Sequence, residues 1–420
     1  MQLSWLKNKN IISIGGNVLY FMFIFIILLD PTNSIFHMKD VLFILLVGYN
    51  CLFYKPDFSY LPHICLVYGV VLLCSVFSDM QGCRIDDDIL MATMKGFALL
   101  FLLLWTPYYQ VIKLSKWPVI LVSLLAAVLY IAVSSNELIE YFVWSFVDSH
   151  NDMIMMTRRN ILGFKVFGMY YKSMVGFIFV LYLVYYQLYN TEKHRMGYLI
   201  AAIILTFTFF VSGTRVTMLL PFVLMGIVML CNMQKWPKLR YFLYPVLCLC
   251  VIGALVLIFM LATQKGDESN AIKYGHLTSY LHLFDSNPFF LLFGQGPGAL
   301  FYSIGFKEWT AQTEWTYIEL IRNYGIFSIG ILFVLFLPVY KLLKYRKEGM
   351  PFGILCTYIV YLFIAGTNPL LINSTGMIVL LSVYSYVHQV EHQHRESIPD
   401  AHEPSRRNEN GPDGSMEYNP

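Results

Sequence analysis

Long apolar runs, recurring from residue 11 to residue 388, constrain the fold of this chain more than any other feature. Many of them approach the roughly 20 residues that a helix needs to cross the hydrocarbon core of a bilayer. Backbone groups in hydrocarbon must hydrogen-bond within the chain, so runs of this length suit helices and not barrel strands. We therefore predict an all-α fold, a polytopic membrane helix bundle of about 12 transmembrane helices. The predicted spans are 11–29, 38–54, 61–77, 89–105, 118–134, 172–189, 198–213, 216–231, 241–262, 325–340, 351–367 and 374–388.

The composition agrees with a membrane bundle. Charged residues make up 13% of the chain, whereas soluble domains carry about 25%, which excludes a water-soluble enzyme. Aromatic residues make up 17%, which excludes a disordered chain. The net charge of +3 gives no reason to expect a nucleic-acid partner. The eight cysteines include no CxxC pair, so neither a zinc site nor a disulfide framework is indicated.

Basic residues predict the orientation of the chain. With the N-terminus in the cytoplasm, 14 lysines and arginines fall in cytoplasmic connections. Only Lys39, Arg84 and Arg215 fall in the short connections of the opposite side. Cytoplasmic loops carry an excess of Lys and Arg, so both termini are expected in the cytoplasm. We expect a transmembrane domain over residues 1–388 and a polar, disordered cytoplasmic tail over 389–420.

Two connections are too long for simple turns, and both fall on the outer side. They cover residues 135–171 and 263–324. Loops of this length in a compact domain are usually functional, and we expect them to contain short helices. The chain shows no internal repeat, which weakens the case for a transporter built from inverted halves.

A glycine motif lies in the second long loop. Gly294, Gly296 and Gly298 form a GxGxG pattern. A dinucleotide site is not indicated, because the motif follows no strand of a βαβ unit. Two interpretations remain open: a tight loop that allows close backbone approach, or a loop that lines a substrate groove.

A carboxylate and an arginine follow this motif. Residues Trp315–Arg322 are predicted to be helical, with Thr313 as a candidate cap. Glu314 and Arg322 would then lie about 12 Å apart along the helix and about 80° around it, so that both face one cavity. The alternatives are a first-turn carboxylate stabilised by the helix dipole for Glu314 and an interfacial anchor for Arg322.

Other arginines are candidates for binding anions. Arg215 lies in VSGTRVTML between two apolar runs, and its guanidinium suits bidentate contact with a phosphate. The alternative is an anchor that reaches the headgroups. Arg158 and Arg159 in the first long loop are either surface charge or a patch for an anionic glycan or a lipid phosphate.

Three further features carry weaker signals: Lys95, an aspartate run and His276. Lys95 lies inside a span, where it either serves function or pairs with a carboxylate across the bundle. The run Asp86-Asp87-Asp88 is either a metal site or a solvated acidic loop, and we expect no metal. His276 is a candidate proton carrier.

The order of these motifs resembles that of the O-antigen polymerases, the Wzy family of Gram-negative bacteria. The resembling residues are GHLTSYL (275–281), FGQGPGALFYSIG (293–305), TEWTYIELIRNYG (313–325) and SGTR (212–215). The resemblance implies an enzyme of the bacterial inner membrane, a lipid-dependent glycosyltransferase of the GT-C type. Its substrates would be glycans on undecaprenyl diphosphate, joined at the periplasmic face without metal, nucleotide or other cofactor. Membrane lipid and a chain-length regulator protein are further expected partners.

The candidate residues fit that chemistry. Cleavage of a glycosyl diphosphate requires neutralisation of the leaving group, for which Arg215 and Arg322 are candidates. Glu314 is the candidate base. We expect His276, Gly294, Gly296 and Gly298 to contact substrate, together with Tyr317, Arg158 and Arg159.

Two alternatives remain. A polysaccharide flippase or transporter would explain many spans and Lys95, but not the polar residues gathered in two outer loops. The related O-antigen ligases usually have a His-Asn type motif where this chain has Thr313-Glu314.

Overall fold

Apolar helices account for most of the chain, as the long runs predict. The structure is a computed structural model, and it describes residues 9–150, 154–161, 164–212, 214–232, 268–366, 368 and 370–397. The helices are α1 (Lys9–Leu29), α2 (Lys39–Phe53), α3 (Leu61–Met80), α4 (Asp87–Ala98), α5 (Val111–Ser135), α6 (Glu137–Ser149), α7 (Ile178–Asn190), α8 (Arg195–Val211), α9 (Arg215–Cys231), α10 (Glu268–Ser286), α11 (Phe289–Phe293), α12 (Thr316–Tyr324), α13 (Ser328–Leu343), α14 (Gly349–Gly366) and α15 (Ser374–Ser397).

Short 3₁₀ segments extend several of these helices. Leu99–Tyr108 continues α4, Lys172–Phe177 leads into α7, and Gly325–Phe327 joins α12 to α13. Pro107 lies inside the first of these segments. Because proline cannot donate a backbone hydrogen bond, the chain leaves helical geometry near it.

Within the described residues, seven helical segments are long and apolar enough to cross a membrane. All seven coincide with predicted spans. They are Asn10–Leu29, Phe58–Met80, Asp87–Tyr108, Val111–Ser135, Lys172–Asn190, Thr316–Leu343 and Gly349–Gly366. The helices α8 and α9 are apolar but shorter, α2 has 15 residues, and the predicted span 241–262 lies outside the described residues. The chain therefore forms a helical bundle of the kind that spans membranes.

The segments Lys172–Asn190 and Gly349–Gly366 form the centre of the bundle. Each buries 61% of its apolar window, against 33% for α1. Many large apolar side chains on the helices around this centre stay exposed, including Ile44 on α2 and Ile203 on α8. A bundle in hydrocarbon keeps such an apolar exterior, because lipid solvates it.

Several connections between helices meet at one end of the bundle. Residues 84–86 pair with residues 298–300, since Asp86 N–H donates to Gly298 O over 2.8 Å and Leu300 N–H donates to Arg84 O over 2.8 Å. The loop before α15 also lies at this end, where Thr316 Oγ1 donates to Asn368 O over 2.5 Å. We call this end the outer end, and residues 268–324 the outer segment.

The first long loop contains a helix and a β-hairpin, whereas the sequence predicts only short helices there. After α6, strand β1 (Ile154–Ile161) pairs antiparallel with β2 (Phe164–Tyr171), with Ile154 opposite Tyr171. Aromatic residues in β2 favour a strand. In the outer segment, β3 (Phe301–Ser303) pairs with β4 (Glu308–Thr310) between α11 and α12.

The last helix continues past the predicted domain boundary at residue 388. α15 ends at Ser397, and its polar C-terminal part contacts Lys341 and Glu348, at the end of the bundle opposite the outer end. His394 Nε2 lies 2.7 Å from Glu348 Oε1, and Lys341 Nζ lies 3.4 Å from Glu391. These contacts explain why residues 389–397 are helical despite a composition typical of a disordered tail.

Candidate functional site

The helix α10 packs closely against the β3–β4 hairpin. A Cβ on Gly275 would lie 2.5 Å from the backbone of Gly305, so this approach requires glycine at the contact. Ile304 N–H donates to Ser279 Oγ over 2.7 Å. The motif GHLTS therefore fixes the position of the hairpin on the helix.

His276 belongs to the same contact. It is completely buried, with Nδ1 2.8 Å from Ser303 Oγ and its ring in edge contact with Phe306. Burial lowers the pKa of His276 below its ordinary value of 6.5, because desolvation disfavours the imidazolium. Among the described residues, Nε2 has no hydrogen-bond partner. The geometry is that of a neutral histidine packed between the helix and the hairpin.

The GxGxG motif forms a buried loop that joins three elements. Gly294 and Gly296 have φ of +75° and +90°, a region that favours glycine. Gln295 N–H donates to Arg322 O over 2.7 Å, and a Cβ on Gly296 would lie 2.4 Å from the Cβ of Ser78 on α3. Residues 294–299, Gly298 included, are all buried. Of the two interpretations left open by the sequence, this geometry is that of the tight loop.

The Arg322 side chain is completely buried, and its guanidinium donates hydrogen bonds to several neighbouring groups. Its Nη1 donates to Gln295 Oε1 over 2.9 Å and to Ala299 O over 2.6 Å, and its Nη2 donates to Ala311 O over 2.6 Å. Nη2 also pairs with Glu319, one turn earlier on α12. The guanidinium lies 4.6 Å from the ring centre of Phe301. This differs from the expected arginine at a lipid phosphate, because Nη1 and Nη2 are bonded to groups of the protein and Nε, which has no partner among the described residues, is buried.

Glu319 is a buried charged residue that the sequence analysis did not single out. Its carboxylate is buried, and Oε2 accepts from Tyr280 OH over 2.6 Å and from Thr313 Oγ1 over 3.3 Å. Burial and then the Glu319 charge raise the pKa of Tyr280 well above its ordinary value, so the phenol remains a donor. The available signal was the i,i+3 spacing of Glu319 and Arg322 on a helix.

Glu314 occupies a different environment. It precedes α12, which begins at Thr316, so the helical geometry expected for Glu314 and Arg322 does not apply. Thr313 is not the N-cap either: that residue is Trp315, without a side-chain cap. The Glu314 side chain is 43% exposed and lies 3.2 Å from Lys273 Nζ. Glu314 and Arg322 therefore do not face one cavity.

The buried pair anchors the loop that carries Glu314. Arg322 binds Ala311 O at the start of the loop, and Glu319 binds the side chain of Thr313. Thr313 Oγ1 in turn accepts Trp315 N–H over 3.3 Å. Residues 311–315 are thus fixed on both sides of a partly exposed carboxylate.

A small polar cavity lies behind this loop. Its volume is about 50 Å³, which admits water or a hydroxyl group but no sugar ring. Tyr324 OH and Asn323 Oδ1 lack partners among the described residues. The lining residues are Ile89, Thr93, Ala311, Gln312, Thr313, Thr316, Glu319, Leu320, Asn323, Tyr324 and Ile372.

Arg215 is the first residue of α9, so the predicted junction between two helices is confirmed. Hydroxyl contacts of Thr217 with Ser212 and Thr214 fix the turn before it. The Arg215 side chain lies outside what the structure describes.

The remaining candidate site residues, Tyr317, Arg158 and Arg159, lie in other parts of the structure. Tyr317 packs α12 against α14, since its hydroxyl donates to Leu362 O over 2.9 Å and its ring covers Gly366. Arg158 and Arg159 lie on β1 opposite Phe167 and Val166, and their side chains are not described. Neither group is brought to Glu314 by the described contacts.

The other charged positions of the sequence analysis have structural partners. Lys95 Nζ lies 2.7 Å from Asp40 Oδ2, which is the pairing across the bundle considered as its alternative. Asp86 caps α4 by accepting N–H groups from Asp88 and Ile89, each over 3.1 Å. No cluster of metal-ligating side chains occurs within the described part of the chain.

Comparison of the chain with protein-family models, curated proteins and solved structures gives no match.

Proposed function

We propose that this chain is a membrane glycosyltransferase of the O-antigen polymerase type. It joins glycan repeat units carried on undecaprenyl diphosphate, and the reaction takes place at the outer end of the bundle. The observation that carries the proposal is the accessible Glu314 carboxylate on a loop anchored by the buried Glu319–Arg322 pair. The resemblance of four sequence motifs to the Wzy family supports the same activity.

The proposed chemistry is a direct displacement at an anomeric carbon. An acceptor hydroxyl oxygen attacks C1 of the donor sugar, the C1–O bond to the diphosphate breaks, and undecaprenyl diphosphate leaves. Glu314 takes the proton of the attacking hydroxyl. Displacement from the opposite face inverts the anomeric centre.

Charge on the leaving diphosphate requires cations near it. Arg215 is the proposed ligand, because guanidinium groups bind phosphate oxygens in pairs. Lys273, 3.2 Å from Glu314, adds a second positive charge beside the base. Arg322 has a different role: it positions the loop and does not contact the substrate.

The outer end is proposed to face the periplasm of the bacterial inner membrane, with both termini in the cytoplasm. The charge distribution of the short connections supports this orientation. The exposed cross-strand pair Tyr302 and Trp309 offers aromatic surface to sugar rings beside the site.

Deletion of the gene in the bacterium that carries it tests the activity. Without a polymerase, lipopolysaccharide should carry a single repeat unit on its core, and the wild-type gene should restore the ladder of longer chains. Loss of every repeat unit would instead indicate a ligase or flippase and would overturn the proposal. An unchanged ladder would overturn it as well.

A further inference from the structure

The helix α10 presents one face to the loop that carries Glu314. Lys273 and Tyr280 lie seven residues apart on this helix, about 10 Å along it and about 20° around it. Lys273 Nζ lies 3.2 Å from the Glu314 carboxylate, and the Tyr280 hydroxyl contacts the side chain of Thr313, the residue before Glu314. The same face of α10 therefore contacts the loop at two neighbouring residues.

Packing and a hydrogen bond fix the Tyr280 side chain. It is buried, and its ring stacks on Phe301 of β3 with the ring centres 5.2 Å apart. Glu319 Oε2 accepts its hydroxyl hydrogen over 2.6 Å. Because Glu319 is itself paired with Arg322, the phenol oxygen has a fixed place and its hydrogen a fixed direction.

The number of hydroxyl hydrogens gives the direction of the remaining bonds. A phenol has one hydrogen, and in Tyr280 it goes to Glu319. In the contact between Tyr280 and Thr313, the Thr313 hydroxyl must therefore donate, with Glu319 Oε2 as a more distant acceptor over 3.3 Å. The Thr313 oxygen also accepts Trp315 N–H over 3.3 Å. The bonds run from Trp315 N–H through Thr313 and Tyr280 to the buried carboxylate, and we call them the hydroxyl chain.

The hydroxyl chain includes both neighbours of Glu314 in the sequence. Thr313 precedes Glu314 and Trp315 follows it. Trp315 is bound to α10 a second time, since its Nε1–H donates to Lys273 O over 3.4 Å. The residues on both sides of Glu314 are thus attached to one helix, whereas the Glu314 side chain itself is 43% exposed.

We propose that Tyr280 is a positioning residue for Glu314: through the hydroxyl chain, its phenol oxygen sets the place of the loop that carries the candidate base. The proposal rests on the proposed function, in which Glu314 takes the proton of the acceptor hydroxyl. A displacement of about 1 Å in a reacting group can cost about 100-fold in rate. A fixed loop therefore matters for glycosyl transfer although Tyr280 does not touch the substrate.

Amide hydrogen exchange measures how firmly the loop is held, without any glycan. In the purified full-length protein in nanodiscs, exchange at residues 311–315 should become about threefold to tenfold faster in Tyr280→Phe, the factor that corresponds to one lost hydrogen bond. This variant keeps the ring stack on Phe301 and removes the oxygen alone. Thr313→Val should have the same effect, whereas Thr313→Ser keeps the hydroxyl and should exchange like wild type.

The matched control is Tyr358→Phe, which removes another buried phenol bond, to Leu335 O over 2.7 Å on α13, and should leave exchange at 311–315 unchanged. Unchanged exchange in Tyr280→Phe and Thr313→Val, or equally fast exchange in Thr313→Ser, would overturn the proposal. Faster exchange of equal size throughout α10 and α12 would also overturn it, since that result indicates a general loss of stability.

The lipopolysaccharide ladder connects the loop to the reaction. In complemented deletion cells, Tyr280→Phe and Thr313→Val should give about tenfold fewer long chains at equal protein level, and Thr313→Ser should give a wild-type ladder. Full ladders in both hydroxyl-free variants would overturn the positioning role even if exchange is faster. If the deletion test excludes a polymerase, exchange still decides whether Tyr280 holds the loop, so the two failures are distinguishable.

Discussion

Glu319 and Arg322 form an ion pair one turn apart on α12, and the guanidinium of that pair is completely buried. The pair closes a network that reaches Tyr280 on α10, Gln295 in the glycine loop and Ala311 before α12. A buried pair of this kind is costly to break, because the remaining partner is left as an unpaired charge.

Arg322→Met should destabilise the folded protein by about 3–5 kcal/mol, since it leaves Glu319 uncompensated and three acceptors without a donor. Thermal unfolding in detergent measures the change. The control is Lys273→Met, which removes an exposed ion pair and should change stability by no more than about 1 kcal/mol. Equal unfolding temperatures for the two variants would contradict a structural role for Arg322.

Glu314→Gln should leave the amount of protein in the membrane unchanged and abolish long O-antigen chains, because the amide cannot accept the proton of the attacking hydroxyl. Electrophoresis of lipopolysaccharide from complemented deletion cells gives the result. Glu319→Gln serves as comparison and should lower the amount of folded protein. Full-length ladders in Glu314→Gln cells would remove Glu314 from the mechanism.

Arg215→Lys should also abolish chain extension, since an ammonium group cannot make the paired, planar contacts of a guanidinium with a phosphate. The same lipopolysaccharide assay applies, with protein level measured in parallel. Retained activity in Arg215→Lys would indicate that positive charge alone is sufficient at this position.

Stability should fall in mild acid because of His276. Burial lowers the pKa of this histidine in the folded protein below its ordinary value of 6.5, so the unfolded chain takes up the proton first as the pH falls. Its contribution is therefore complete above about pH 6.5 and decreases below it. Unfolding temperatures from pH 8 to pH 5 should show a smaller decrease in His276→Gln than in wild type. The exposed His282→Gln should behave like wild type.

Gly296→Ala should prevent the glycine loop from packing, because the new Cβ would meet Ser78 and the backbone has φ of +90°. We expect a loss of several kcal/mol or of the folded protein itself. Gly69→Ala on α3 is the matched control, since an added Cβ meets no atom within 4 Å and helix propensity favours alanine by about 1 kcal/mol. Similar expression of both variants would contradict the tight-loop geometry.

The sequence predicts the membrane helices better than it predicts the site. Long apolar runs predict membrane helices directly, because a helix in hydrocarbon needs an apolar surface. A short polar break between two such runs predicts the helix junction before Arg215. The β1–β2 hairpin was missed, although Phe164–Tyr171 is rich in aromatic residues.

The environment of a charged side chain depends on contacts between distant segments. The local sequence around Arg322 is compatible both with contact to a lipid phosphate and with contact to loop carbonyls. The folded structure selects the second, because it places Ala299 O and Ala311 O beside the guanidinium. Glu314 and Glu319 are equally plausible from sequence alone. The helix begins at Thr316, which separates the exposed carboxylate from the buried one.

The contact between α3 and the outer segment has a consequence for biosynthesis. Cys74 Sγ donates to Tyr324 O over 3.7 Å across 250 residues of sequence, and Gly296 packs on Ser78 in the same region. The N-terminal helices enter the bilayer long before these partners leave the ribosome, since synthesis proceeds at about 5–20 residues per second. During that interval, the outer half of α3 lacks its native neighbours. Chaperones or insertion factors that shield nascent membrane helices would therefore act on α3 until the outer segment has been synthesised.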